Sequence, residues 1–204
     1  MMTINTVVAS TTFSTETLKI DGVDFRIGFV EKMENFPYAI SVTDITYGDG
    51  VNAGGVILSA DDIRKCVEIY GKNFAYSFIG FILAHEVGHL IDFKNNPVAA
   101  LTIGGLSISI DREIVADTYS IRNNPISLDQ YRQFMGILLD EALAVEKRLC
   151  KKHRILYHIA SSLDRRNLMK RFARTIESVK AKQRVSVNLI FGELSRKIVD
   201  GVIG

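Results

Sequence analysis

Apolar and polar residues alternate through TLKIDGVDFRIGFVE (17–31), with an Asp21-Gly22 break between the two runs. Alternation about such a dipeptide predicts a β-hairpin. YAISVTDITYGDG (38–50) reads as a further strand ending in a Gly turn, and GGVILSA (54–60) as a short β-rich segment. Ser59 or Asp61 then stands in position to cap a helix over 62–71. After GKN comes a strongly apolar helix over about 74–93. PVAALTIGGLSISI (97–110) is ambiguous, its Gly pair and β-branched residues suggesting a loop or hairpin, and DREIVADTYSIRNN (111–124) predicts a helix ended by Asn-Asn-Pro. From Ser127 onward the pattern is helical, with helices over about 127–150, 151–160, 164–182 and 186–200. A small sheet followed by helices defines an α+β chain. Residues 1–125 form its core, and 126–204 a helical region packed on that core as one structural unit.

Composition changes this picture little. The chain has 204 residues, 47% apolar and 24% charged, ordinary for a soluble globular protein. The N-terminus lacks a basic stretch followed by a continuous apolar run. The longest apolar runs, 74–84 and 97–110, are shorter than the roughly 20 residues of a membrane span. A soluble, cytoplasmic protein without a membrane span is expected. Cys66 and Cys150 form no CxxC pair and are expected to be reduced thiols.

Charge does add something. The net +2 is the difference between a basic tail and an acidic remainder: residues 141–204 hold 15 Lys/Arg against 6 Asp/Glu. Such a region can meet nucleic acid or an acidic partner, or it can be a set of solvated helix faces. DRRNLMKRFAR (164–174) sets Arg165, Arg166, Lys170, Arg171 and Arg174 around one side of a helix, with Leu168, Met169 and Phe172 offering an apolar face.

The polar residues of FILAHEVGHLID (81–92) carry the candidate chemistry. His85 and His89 lie at i and i+4, so a helix puts both imidazoles on one face about one turn apart, where they can share a metal ion. Glu86 lies about 100° round the helix, placed to reach a water on that metal. This is the HExxH arrangement of zinc hydrolases, in which the metal acidifies the water and the Glu takes its proton. A catalytic zinc needs a third protein ligand. Asp92 is on the histidine face. Asn95 occupies the third-ligand position of the extended HExxHxxGxxH pattern, which the chain fails both there and at Asp92. Glu113, on the next helix, shares a face with Asp117. Glu113 can bind the metal while Asp117 accepts the free ring N–H of a ligand histidine. Ala116 and Gly88 would let the two helices approach closely.

HEVGH followed, 24 positions after His89, by the E-x-x-A-D of REIVADTYS resembles the gluzincin zinc peptidases. It is most similar to the heat-shock/CAAX-prenyl peptidase family and its small soluble relatives, the minigluzincins. VNAGGVILSADDI upstream also resembles that family's edge-strand segment, and a gluzincin-like group of repressor-cleaving peptidases has a comparable Glu helix. The resemblance spans about residues 50–120. It implies a zincin-like core, one Zn2+ per chain held by His85, His89 and Glu113, and Glu86 as general base. It also implies Asp117 as the group orienting a ligand histidine, and Gly55, Val56 and Ile57 as the edge strand pairing with an extended peptide substrate. The chain departs from the family in lacking transmembrane helices and a late His-Pro segment followed by Arg. The nearest stretch is HRILYHIASSLDRR (153–166), which has no Pro.

A tetrahedral intermediate needs a stabiliser for its negative charge. His153, Tyr157 and His158 are candidates, with Arg165 and Tyr119 behind them. The expected activity is that of a zinc metalloendopeptidase. The alternative is a non-catalytic zincin-fold protein binding nucleic acid or an acidic partner through its basic C-terminal helices.

Overall fold

The computed structural model describes residues 11–14, 17–33, 38–46, 50–96, 110–149, 154–181 and 190–204. These form a small mixed sheet and six helices. The strands are β1 (Thr12–Phe13), β2 (Leu18–Ile20), β3 (Val23–Val30), β4 (Ala39–Thr46) and β5 (Gly50–Ser59). The helices are α1 (Ala60–Tyr70), α2 (Lys72–Asn95), α3 (Ile110–Asn123), α4 (Leu128–Leu149), α5 (Arg154–Ala181) and α6 (Ile190–Ile203).

The expected hairpin is β2–β3, with Ile20 opposite Val23. Asp21 and Gly22 join them at φ 49° and 74°, the double left-handed conformation that a two-residue turn between twisted strands demands. The rest of the sheet has the order β1-β3-β5-β4, and β2 lies beside β3 on the edge that β1 also uses. β5 runs antiparallel to β4 and parallel to β3. It is therefore an interior strand. This corrects the expectation that Gly55, Val56 and Ile57 form a substrate edge. Gly55 pairs with Arg26 on one side and Val42 on the other, Val56 with Ile27 and Ser41, and Ile57 with Gly28 and Ile40. Both flanks of that backbone are engaged, so it has no free row of N–H and C=O groups. Among the described residues β4 pairs only with β5, and it forms that end of the sheet.

Side-chain alternation sorts the sheet's two faces. Val56 and Leu58 join the main core, which also holds Phe25, Phe78, Leu83, Leu90, Tyr131, Phe134, Phe191 and Val199. Ile57 points the other way, into a small cluster with Val30 and Met33. Ser59 caps α1, its Oγ accepting from the Asp62 N–H at 3.3 Å. Cys66 is buried in α1 as a free thiol, and burial pushes its pKa up to about 12; Cys150 lies outside the described residues.

α2 is the centre of the molecule. It packs on the sheet, on α1, on α3 and on α6. By length and composition it could cross a bilayer, yet 72% of its most apolar stretch is buried within the fold. Its contact with α3 is very close at Gly88. A Cβ there would lie 3.0 Å from Ala116 Cα and 3.3 Å from both Ala116 O and Tyr119 Cβ. Gly88→Val is expected to destabilise the fold by about 1–3 kcal/mol, as overpacking does. An unchanged urea midpoint would show that the helices can separate freely there.

The two helices expected over 151–160 and 164–182 are one, α5, of 28 residues. No Gly or Pro interrupts residues 154–181, so the backbone has no reason to stop at the Ser161-Ser162 pair. The segment 97–110 lies, except for Ile110, outside the described residues.

Candidate metal centre

α2 carries a stripe of rings one turn apart: Phe81, His85, His89 and Phe93. The His85 and His89 rings meet edge to face at 4.6 Å, with Phe81 and Phe93 each 6.1 Å from the adjacent imidazole. Packing on both ends thus restrains the two histidines. Both are buried, at 8% and 2% exposure.

The close approach at Gly88 brings Glu113 of α3 in front of them. His85 Nε2 and His89 Nε2 are 3.0 Å apart. Glu113 Oε2 is 3.5 Å from the first and Oε1 is 3.4 Å from the second. One donor atom from each of these three residues lies within 4.8 Å of the other two. A tetrahedral metal about 2.0 Å from each donor requires donor–donor spacings of about 3.3 Å. The trio therefore fits a metal ion both in spacing and in donor chemistry, two imidazoles and a carboxylate.

Behind His85 stands Asp117, fully buried. His85 Nδ1 donates to Asp117 Oδ1 at 2.9 Å. A carboxylate only accepts, so the proton is on Nδ1 and the Nε2 lone pair faces the trio. His89 has no such support: its buried Nδ1 lacks a hydrogen-bond partner among the described residues.

Two further residues complete the cluster, and neither was expected there. Tyr131 of α4 donates its hydroxyl to Asp117 Oδ2 at 2.8 Å. Arg171 of α5 donates to Asp117 Oδ2 through Nε at 2.5 Å and to Oδ1 through Nη2 at 2.7 Å, while Nη1 lies 2.5 Å from Glu113 Oε2. In the sequence Arg171 is one basic residue among several in 164–174. One signal of its inward position existed: Leu168 and Thr175, at i−3 and i+4, are apolar or small, and Thr175 is fully buried. Nothing local marked Tyr131, which reads as part of the apolar stripe with Phe134 and Met135. Arg174 pairs with Asp111 at 2.6 Å on the surface, and Arg166 and Lys170 are likewise exposed.

The remaining expected residues fall as follows. Glu86, half-buried and adjacent to His85, makes no hydrogen bond or ion pair among the described residues. Asp92 is not in the metal group: it accepts from Arg112 Nη1 and Asn96 Nδ2, both at 3.0 Å, tying the end of α2 to α3. Asn95 is exposed at the end of α2. Tyr119 donates to Asp21 Oδ2 at 2.8 Å, fixing α3 to the hairpin turn. His153 lies outside the described residues, as do the side chains of Tyr157, His158 and Arg165.

Burial opposes ionisation throughout the cluster, and the partners overcome it. For Glu113 the charge of Arg171 and the His89 hydrogen bond outweigh burial and bring its pKa down to about 2 from 4.5. Asp117 is likewise lowered, by Arg171 and His85 against burial. Burial would depress His85, yet Asp117 and Glu113 raise it above 6.5. Carboxylates depressed in the folded state stabilise it above their unfolded pKa, and that stabilisation disappears as pH falls toward the folded value. A raised histidine acts oppositely: its contribution is complete below pH 6.5 and fades as pH rises through the folded pKa. Metal-free protein is therefore expected to melt highest between roughly pH 4.5 and 6.5. A melting midpoint climbing steadily from about pH 5 to 8 would contradict these assignments.

No family model, curated protein or solved structure matches the chain. The class that the fold and cluster define is thus the general one: an α+β chain with a His85–His89–Glu113 group able to hold a metal ion.

Proposed function

We propose that the chain is a zinc-dependent metallopeptidase of the gluzincin type, with a zincin-like core and one Zn2+ per molecule. The observation that carries the reading is the buried trio His85, His89 and Glu113 at near-tetrahedral donor spacings, with Asp117 fixing the tautomer of His85. Zinc bound there would acidify a water molecule and polarise a peptide carbonyl.

The chain's own residues supply the remaining functions. Glu86, unengaged by other groups among the described residues, takes the proton from the attacking water and returns it to the leaving amine. Asp117, Tyr131 and Arg171 keep the ligand set in register across α2, α3, α4 and α5. A peptide substrate lies along β4 as an added strand. Among the described residues β4 has the open edge that β5 lacks, and it packs against α2.

The test is metal content with activity. Zinc-loaded protein is expected to hold about one zinc per chain and to cleave unfolded protein or quenched-fluorescence peptide mixtures. Removal of the metal by chelator should abolish cleavage, and added zinc should restore it. Loaded protein that cleaves nothing across a broad peptide library would rule out the peptidase reading while leaving the metal site intact.

A further inference from the structure

The two oxygens of Glu113 stand in nearly the same relation to the imidazole pair, one 3.5 Å from His85 Nε2 and the other 3.4 Å from His89 Nε2. Nothing in that placement makes one oxygen the ligand and the other a spectator. A carboxylate so presented can grip a metal with both oxygens, which would occupy a coordination position that a hydrolytic metal must keep open. What breaks the symmetry is Arg171. Its Nε and Nη2 are held by the two oxygens of Asp117, and this fork leaves Nη1 aimed at Oε2 of Glu113 alone. The guanidinium cannot swing away without giving up a paired interaction with a fully buried carboxylate. Asp117 is itself fixed by His85 Nδ1 and the Tyr131 hydroxyl.

We propose that Arg171 is a positioning residue that restricts Glu113 to one-oxygen ligation through Oε1, and so keeps the fourth coordination position open. The inference rests on the metal reading above and adds to it a reason for the guanidinium's place. Lysine cannot replace it, because a point charge on a flexible stem does not hold Asp117 and Glu113 in fixed relation.

The experiment compares zinc- and cobalt(II)-loaded wild type with Arg171→Lys and Arg171→Gln. X-ray absorption of zinc-loaded wild type should show four light-atom neighbours at about 2.0 Å, and the cobalt form an intense visible band. The variants should still bind one metal, but with five neighbours and a cobalt band several-fold weaker. Five neighbours in wild type, or unchanged four-coordinate spectra in a folded variant, would overturn the proposal with the metal site still standing. Wild type that takes up no metal would overturn the site itself and this inference with it. Because the zinc measurement on wild type needs no substitution, a variant that fails to fold leaves that part of the test decisive.

Discussion

Glu86→Gln protein is expected to bind zinc as wild type does and to lose about 10²- to 10⁴-fold in kcat, the range a positioned general base contributes. The side chain is half-buried, adjacent to His85, and engaged in no hydrogen bond or ion pair among the described residues. The substitution keeps its shape while removing only its basicity, so fold and metal content should be unaffected. Peptide turnover with zinc quantified in the same samples decides the matter. Wild-type turnover by Glu86→Gln would mean that proton transfer is assigned to the wrong residue. A parallel loss of zinc would mean that Glu86 serves the metal.

Asp117→Ala should have the largest effect on stability. Asp117 is fully buried and accepts from His85, Tyr131 and twice from Arg171. Its removal leaves Arg171 with only Glu113 as a buried counter-charge, and breaking such a pair costs about 3–5 kcal/mol. It also frees the His85 ring, and the loss of an outer partner of this kind lowers metal affinity about 10- to 100-fold. Asp117→Asn separates the two effects, because it retains the volume and one acceptor while removing the charge. Urea unfolding of metal-free protein and zinc competition with a chromophoric chelator measure them independently. If Asp117→Ala unfolds at the wild-type midpoint and binds zinc as tightly, the four-helix network has no energetic role.

The parts of the site visible in the sequence are those fixed by local spacing. His85 and His89 are one turn apart on any helix, and Glu113 with Asp117 repeats that interval on the next. Asp21-Gly22 and Ser59 carry their structural instruction in one or two residues. What was not visible depends on which elements become neighbours. GGVIL reads as a strand, but its interior position follows from the parallel pairing of β3 with β5, while β4, between them in sequence, pairs on the other side. No single-strand pattern encodes sheet order. Arg171 lies 58 positions from Glu113, with all of α4 between them; beyond the apolar or small residues at i−3 and i+4, only the docking of α5 on α3 tells it apart from Lys170 or Arg174. α5 runs unbroken through Ser161-Ser162 because a polar pair without Gly or Pro does not end a helix.

The burial of the middle of α2, where His85 and His89 sit, has a consequence for how the centre fails. Its backbone amides should be among the slowest in the chain to exchange with solvent hydrogen, opening only with the fold as a whole. His85 and His89 then have no local route to disorder. Fraying at a loop or terminus leaves their spacing unchanged, and the donor pair persists as long as the core does. Glu113, on a helix with one face outside, is the proposed ligand whose arrival and departure can be gradual.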